Sequence, residues 1–123
     1  MSTPTPSPAV HRHGVGPRLS EAAVFNGVVY LAGMVPESGA ADMRGQTADV
    51  LAQVDTHLAA CGSDKSRLLR VQIYLADIDD IHAMNEVWDA WVVPGHTPPR
   101  ATVQARLGDP AWRIEVVATA ALA

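Results

Sequence analysis

Several runs in this chain carry apolar side chains on both faces of an extended strand, and that pattern limits the fold more than any other feature. Side chains alternate sides along a strand. Val28 and Val29, Tyr30 and Leu31, and Val116 and Val117 therefore each send one apolar group to either face. Helical periodicity is confined to two segments. From Gln46 to Cys61, the positions Val50, Leu51, Val54, Leu58 and Cys61 recur at helical spacing, and Gly62 supplies a stop. Beyond Asp77, Asp79 and Asp80, which offer N-caps and favourable charge, Ile81, Met84, Trp88, Trp91 and Val92 share one helix face with Asn85 beside it. Two helices can cover one face of a sheet. The other face needs a partner, and self-association is the simplest source of one.

The remaining elements follow from turn chemistry. Val24-Phe25 and Val28 to Ala32 flank Asn26-Gly27, the strongest short signal for a hairpin. Gly33 closes the second strand, where a backbone can approach something closely. Gly39 to Gly45 reads as a loop. Leu69, Val71, Ile73 and Leu75 alternate with Arg70, Gln72 and Tyr74, which predicts a strand. Ala101 to Leu107 and Trp112 to Ala121, joined through Gly108-Asp109-Pro110, predict the last two. The predicted order is β-β-α-β-α-β-β, an α+β domain over residues 17–123 with two helices on one face of a mixed sheet. Residues 1–16 open on a polar, proline-rich stretch and read as a flexible tail that neither packs nor pairs. Its His11 and His13 lack the third ligand and rigid frame of a metal site, and no metal is expected.

Composition narrows the partners. The chain has 123 residues, 48% of them hydrophobic, enough for one domain with a real core. Nine Lys and Arg against 13 Asp and Glu give a net charge of −4. That balance argues against nucleic acid, which needs a dense basic footprint, and against an anionic membrane surface. Cys61 is the one cysteine, which excludes an internal disulfide and suits a reducing compartment; before Gly62 it reads as a small buried hydrophobe. The N-terminus lacks the charged start and apolar stretch of a secretion signal, so a cytoplasmic protein is expected.

The chemistry-bearing residues lie near the C-terminus, in His96-Thr97-Pro98-Pro99-Arg100-Ala101-Thr102-Val103 and Ile114-Glu115-Val116. Two prolines place Arg100 at a defined strand start, where a guanidinium can grip a carboxylate bidentately. Glu115 is embedded in an apolar strand and needs a partner or a task. On the residues alone, a cross-strand ion pair with Arg106 or Arg113 is the plain assignment. For Asn85 it is a satisfied core amide.

Five segments together, Asn26 to Gly33, Val71 to Asp77, Met84 to Trp88, Pro99 to Val103 and Ile114 to Val116, resemble the reactive-intermediate deaminase family, also called Rid or YjgF-like and linked with endoribonuclease L-PSP. The resemblance covers most of the chain. It implies a chorismate-mutase-like fold in a homotrimer whose sheets enclose a central barrel, with sites in clefts between subunits. It also implies hydrolysis of short-lived 2-imino acids or enamines to 2-keto acids and ammonia, without cofactor. Arg100 matches the family arginine that holds the substrate carboxylate, Glu115 the glutamate that handles water, and Asn85 the helix asparagine that braces the site. Backbone groups at Gly33 and Thr102 match main-chain contacts to substrate. Leu19 stands where the family has a site tyrosine, Ala32 where it has serine and Met34 where it has glutamine. The segment from Asn85 to Arg100 is also short, so the loop with His96 differs. These departures keep two functions in view, an imine deaminase with altered side-chain preference and a small-carboxylate-binding or partner-binding, regulatory protein with little or no catalysis. A ribonuclease-like role fits poorly with the acidic charge.

Overall fold

The Asn26-Gly27 turn forms as its sequence demands. Both residues take left-handed backbone, with φ of 51° and 75°, and Phe25 pairs with Val28 across them. The computed structural model describes residues 8–123. In chain order the elements are β1 (His11–Val15), β2 (Ser20–Phe25), β3 (Val28–Leu31), α1 (Met43–Ala60), β4 (Leu68–Leu75), α2 (Ile81–Trp91), β5 (Arg100–Gln104) and β6 (Ile114–Ala121). The strands form one sheet in the order β1-β2-β3-β6-β4-β5. Only β4 and β5 are parallel; every other neighbour is antiparallel. This is the expected α+β arrangement of two helices on a mixed sheet.

One face of that sheet holds the core. Val29, Leu31, Val71, Ile73, Leu75, Ile114, Val116, Ala118 and Ala120 point toward the helices and are buried. From α1 they meet Val50, Val54 and Leu58, and from α2 Met84 and Trp88. The other face is only partly apolar, yet Tyr30 is 50% and Val103 44% exposed there. Cys61 is buried, and burial pushes its thiol pKa up, as suits a packed hydrophobe. No described helix is long and apolar enough to cross a membrane.

Five details depart from expectation. The tail is not unpaired throughout: His11–Val15 is a strand, with His11 opposite Val24 and His13 opposite Ala22. The proline-rich stretch ends at Pro8, and beyond it the chain has the N–H groups a ladder needs. Residues 1–7 lie outside the described residues. In β4, the register shifts between Leu68 and Arg70, so Leu68 is 8% exposed and Leu69, expected inward, is 47% exposed. Helix α1 starts at Met43 rather than Gln46, because the Asp42 side chain caps it by accepting from the Gly45 amide. Asp77 caps a single 3₁₀ turn, Ile78–Asp80, that precedes α2. The last two strands are also shorter at the connection than predicted, ending at Gln104 and starting at Ile114.

The bulge makes two adjacent leucines unequal. Leu68→Ala is expected to lower stability by about 2–5 kcal/mol. Leu69→Ala, outside the core, should change it by about 0.5 kcal/mol or less. Denaturant unfolding with the ranking reversed would misplace the bulge.

Candidate functional site

Arg100 opens β5 beside Val71, which is 1% exposed. Its side chain therefore leaves on the helix-covered side of the sheet. There Arg100 Nη1 donates to Asn85 Oδ1 on α2 at 2.8 Å. The guanidinium carbon stands 5.0 Å from the ring centre of Trp88, one helical turn after Asn85. Burial lowers the Arg100 pKa while the charge of Asp89 acts against the shift; a guanidinium stays charged regardless. Asn85 is its only side-chain partner among the described residues, so most of the fork is open to a carboxylate. Thr102, two residues on and on the same side, has a buried hydroxyl with no hydrogen-bond partner among the described residues. Because β5 is an edge strand, Arg100, which is only partly buried, sits where something from outside the chain can reach it.

Glu115 lies on β6 between the buried Ile114 and Val116, so its carboxylate emerges on the opposite side of the strand. It passes directly over Gly33: a Cβ there would stand 2.6 Å from Glu115 Oε2 and 2.9 Å from the carboxyl carbon. Only glycine leaves room for the carboxylate in this position. The cross-strand ion pair expected for Glu115 is absent among the described residues. Arg113 instead donates from Nε to Ala41 O at 3.0 Å and from Nη1 to Asp80 at 3.4 Å, because the chain turns at Arg113 before β6 begins.

Leu19, Gly33 and Glu115 line one cavity of about 380 Å³, together with Ala32, Met34 and Trp112 and the carboxylates of Glu21 and Glu37. Its walls carry no basic side chain and no hydroxyl. Two residues of α1 hang the surrounding loops. Asp49 accepts from the Glu37 and Ser38 amides at 2.6 and 2.7 Å and from Gln53 at 3.0 Å. Gln46, 2% exposed, donates to Ala40 O and Ala111 O and accepts from the Arg113 amide at 2.7 Å. All its hydrogen-bonding groups are engaged, which permits its burial.

The predicted residues thus fall into two groups, Leu19 with Gly33 and Glu115, and Arg100 with Asn85 and Thr102. Register keeps them apart. Arg100 is level with Val71 and Ala118, whereas Glu115 is level with Tyr74. That spacing is roughly 10 Å along the strands and roughly 10 Å across two of them, on opposite sides of the sheet. A single chain does not offer both to one small molecule. His96 is exposed on the α2–β5 connection and does not line the Glu115 cavity. Trp88, Trp112 and Asp49 escaped the sequence as site residues. Only Trp88 left a signal there, its three-residue spacing from Asn85.

The family model described as endoribonuclease L-PSP matches residues 13–122. The RutC family protein YoaB of Escherichia coli K12 is 48% identical over 105 residues, covering 85% of this chain and 91% of its own. This chain belongs to that family, known as YjgF, RutC or Rid. A YjgF-family structure from Neisseria meningitidis superposes with a TM-score of 0.92 at 52% identity, covering 94% of this chain and 96% of that one. Reactive Intermediate Deaminase A from the chloroplast of Arabidopsis thaliana is 34% identical over 91 residues, covering 69% of this chain and 48% of that protein. With such neighbours the chorismate-mutase-like α+β fold of this Rid-family chain is secure.

The hold of Asp49 on the cavity loop depends on pH. Burial acts to raise its pKa, but hydrogen bonds from Gln53, Ser38 and Glu37 outweigh burial and the net shift is downward. A depressed carboxyl stabilises the fold above its ordinary pKa and loses that contribution as pH falls through the lowered value. The Glu37 and Ser38 amide resonances should therefore move together on acidification, with a midpoint below that of a free aspartate. Asp49→Ala should show the loosened state already at neutral pH; amides unmoved by the substitution would give the loop another anchor.

Proposed function

We propose that this chain hydrolyses reactive 2-imino acids, or their enamine tautomers, to 2-keto acids and ammonia in a site shared between copies of itself. The observation that carries the reading is the complementarity of the two groups. Arg100 is a cation with an open fork at a sheet edge. The Glu115 cavity is lined by three carboxylates and no cation. An anionic substrate needs both, and each chain supplies them too far apart. A second copy that brings its Arg100 edge to the Glu115 cavity completes the site. Such a head-to-tail contact closes into a ring when the rotation permits, and a homotrimer also covers the exposed Tyr30 and Val103. The likeness to a named deaminase in Arabidopsis supports the same activity.

In this reading Arg100, aimed by Asn85 and Trp88, takes the substrate carboxylate in parallel hydrogen bonds. The imine carbon is then held near Glu115 of the neighbouring copy. Water adds to that carbon as Glu115 accepts its proton, giving a carbinolamine. Glu115 passes that proton to the amine nitrogen, then takes the hydroxyl proton as the C–N bond breaks, so that ammonia leaves and the carbonyl forms. Leu19 and Ala32 border the cavity without a hydroxyl to share this proton traffic. That absence favours, as second reading, a small-carboxylate-binding protein with weak catalysis.

Light scattering at micromolar concentration should give a species of about three times 13.0 kDa; a stable monomer would leave each half-site incomplete and end the proposal. Arg100→Lys keeps charge but loses the fork, so pyruvate or 2-oxobutanoate should bind at least about tenfold more weakly by calorimetry. Glu115→Gln should retain keto-acid binding and slow imine hydrolysis by ~10²-fold. Leu19→Tyr should raise the rate if a missing hydroxyl limits it. Keto-acid binding without imine hydrolysis in the unmodified protein would decide for the second reading.

A further inference from the structure

We infer that Trp112 selects the substrate side chain, admitting neutral apolar 2-imino acids and turning away acidic ones. The inference rests on the deaminase reading and names the substrate class of that same site. With the carboxylate on Arg100 and the imine carbon beside Glu115, the side chain is the part of the substrate left to occupy the cavity. What it meets there is Leu19, Ala32, Met34 and Trp112.

Trp112 is held as a wall. Its amide donates to Asp109 O at 3.1 Å, and its ring packs on Gly108, where an added Cβ would stand 3.3 Å from a ring carbon. The same residue lines a second, larger cavity of about 630 Å³ bounded by Pro36, Pro110 and Arg113, and Glu37 lines both. Trp112 and Glu37 therefore stand between the two spaces, and the ring limits how far a side chain extends from Glu115. Charge acts as the second filter. Apart from Glu115, the ionisable groups on the wall are Glu21 and Glu37. Glu21 is 3.8 Å from His57, which does not line the cavity. A carboxylate side chain would face like charge with no cation to receive it.

The test uses imines generated in place by an amino-acid oxidase from alanine, leucine, phenylalanine and glutamate, with ammonia release measured above the spontaneous rate. The unmodified protein should favour the leucine imine over the glutamate imine by about tenfold or more. Trp112→Ala joins the cavities, so the phenylalanine-to-alanine ratio should rise by about tenfold or more, the scale at which a hydrophobic pocket discriminates. Trp112→Phe keeps a wall and should stay near the original ratio, and Glu37→Gln should narrow the leucine-to-glutamate ratio. A uniform loss across all four imines in both Trp112 variants would make the ring a structural support and overturn the inference. Hydrolysis of the leucine and glutamate imines at equal rates would overturn it too, leaving the deaminase reading intact. If no imine is hydrolysed, both fall together.

Discussion

The register of β6 is the constraint from which the rest follows. It is paired on one side with β3 and on the other with β4. Its residues alternate between buried Ile114, Val116, Ala118 and Ala120 and the half-buried Glu115, Val117, Thr119 and Ala121. A shift by one residue would exchange these sets, placing a carboxylate in the core and four core residues outside it. The apolar cost of that exchange holds Glu115 on its side of the sheet. Gly33, bridged to the same strand through Met34 opposite Val116, then has to yield space to the carboxylate.

The cavity around Glu115 is built by α1 as much as by the strands. Gln46 and Asp49 lie on turns of α1 that reach its loops, and their side chains take up backbone groups that no strand or helix would satisfy. Loops made this way keep a defined shape without their own secondary structure. The Arg100 group is fixed differently, by a strand start, a helix amide and an aromatic face. Two elements, β5 and α2, converge on one guanidinium, which loses little further freedom when a carboxylate arrives.

The separation of the two groups is a property of sheet geometry rather than of loop placement. Two intervening strand spacings and opposite sides of the sheet cannot be closed by side-chain motion. A site shared by two copies, as proposed, converts this separation into an advantage, since assembly and substrate binding then draw on the same edge.

Much of this was legible in the sequence. Asn26-Gly27, the helical spacing of Val50, Val54 and Leu58, and the alternation of β4 and β6 are local patterns, and local sterics and burial decide them. The chemistry of Arg100 and Glu115 was legible too, as charged residues set among prolines and apolar neighbours. The strand at His11–Val15 was not, because an edge strand is made by the partner that it pairs with and needs no apolar signal of its own. Nor were the bulge that turns Leu69 outward, the loop anchors Gln46 and Asp49, or the wall at Trp112. Each depends on residues distant in the chain. Which residues carry charge into an apolar setting is written in the order of the chain; that Arg100 and Glu115 of one chain lie apart comes from the fold, because strand order and register set that distance.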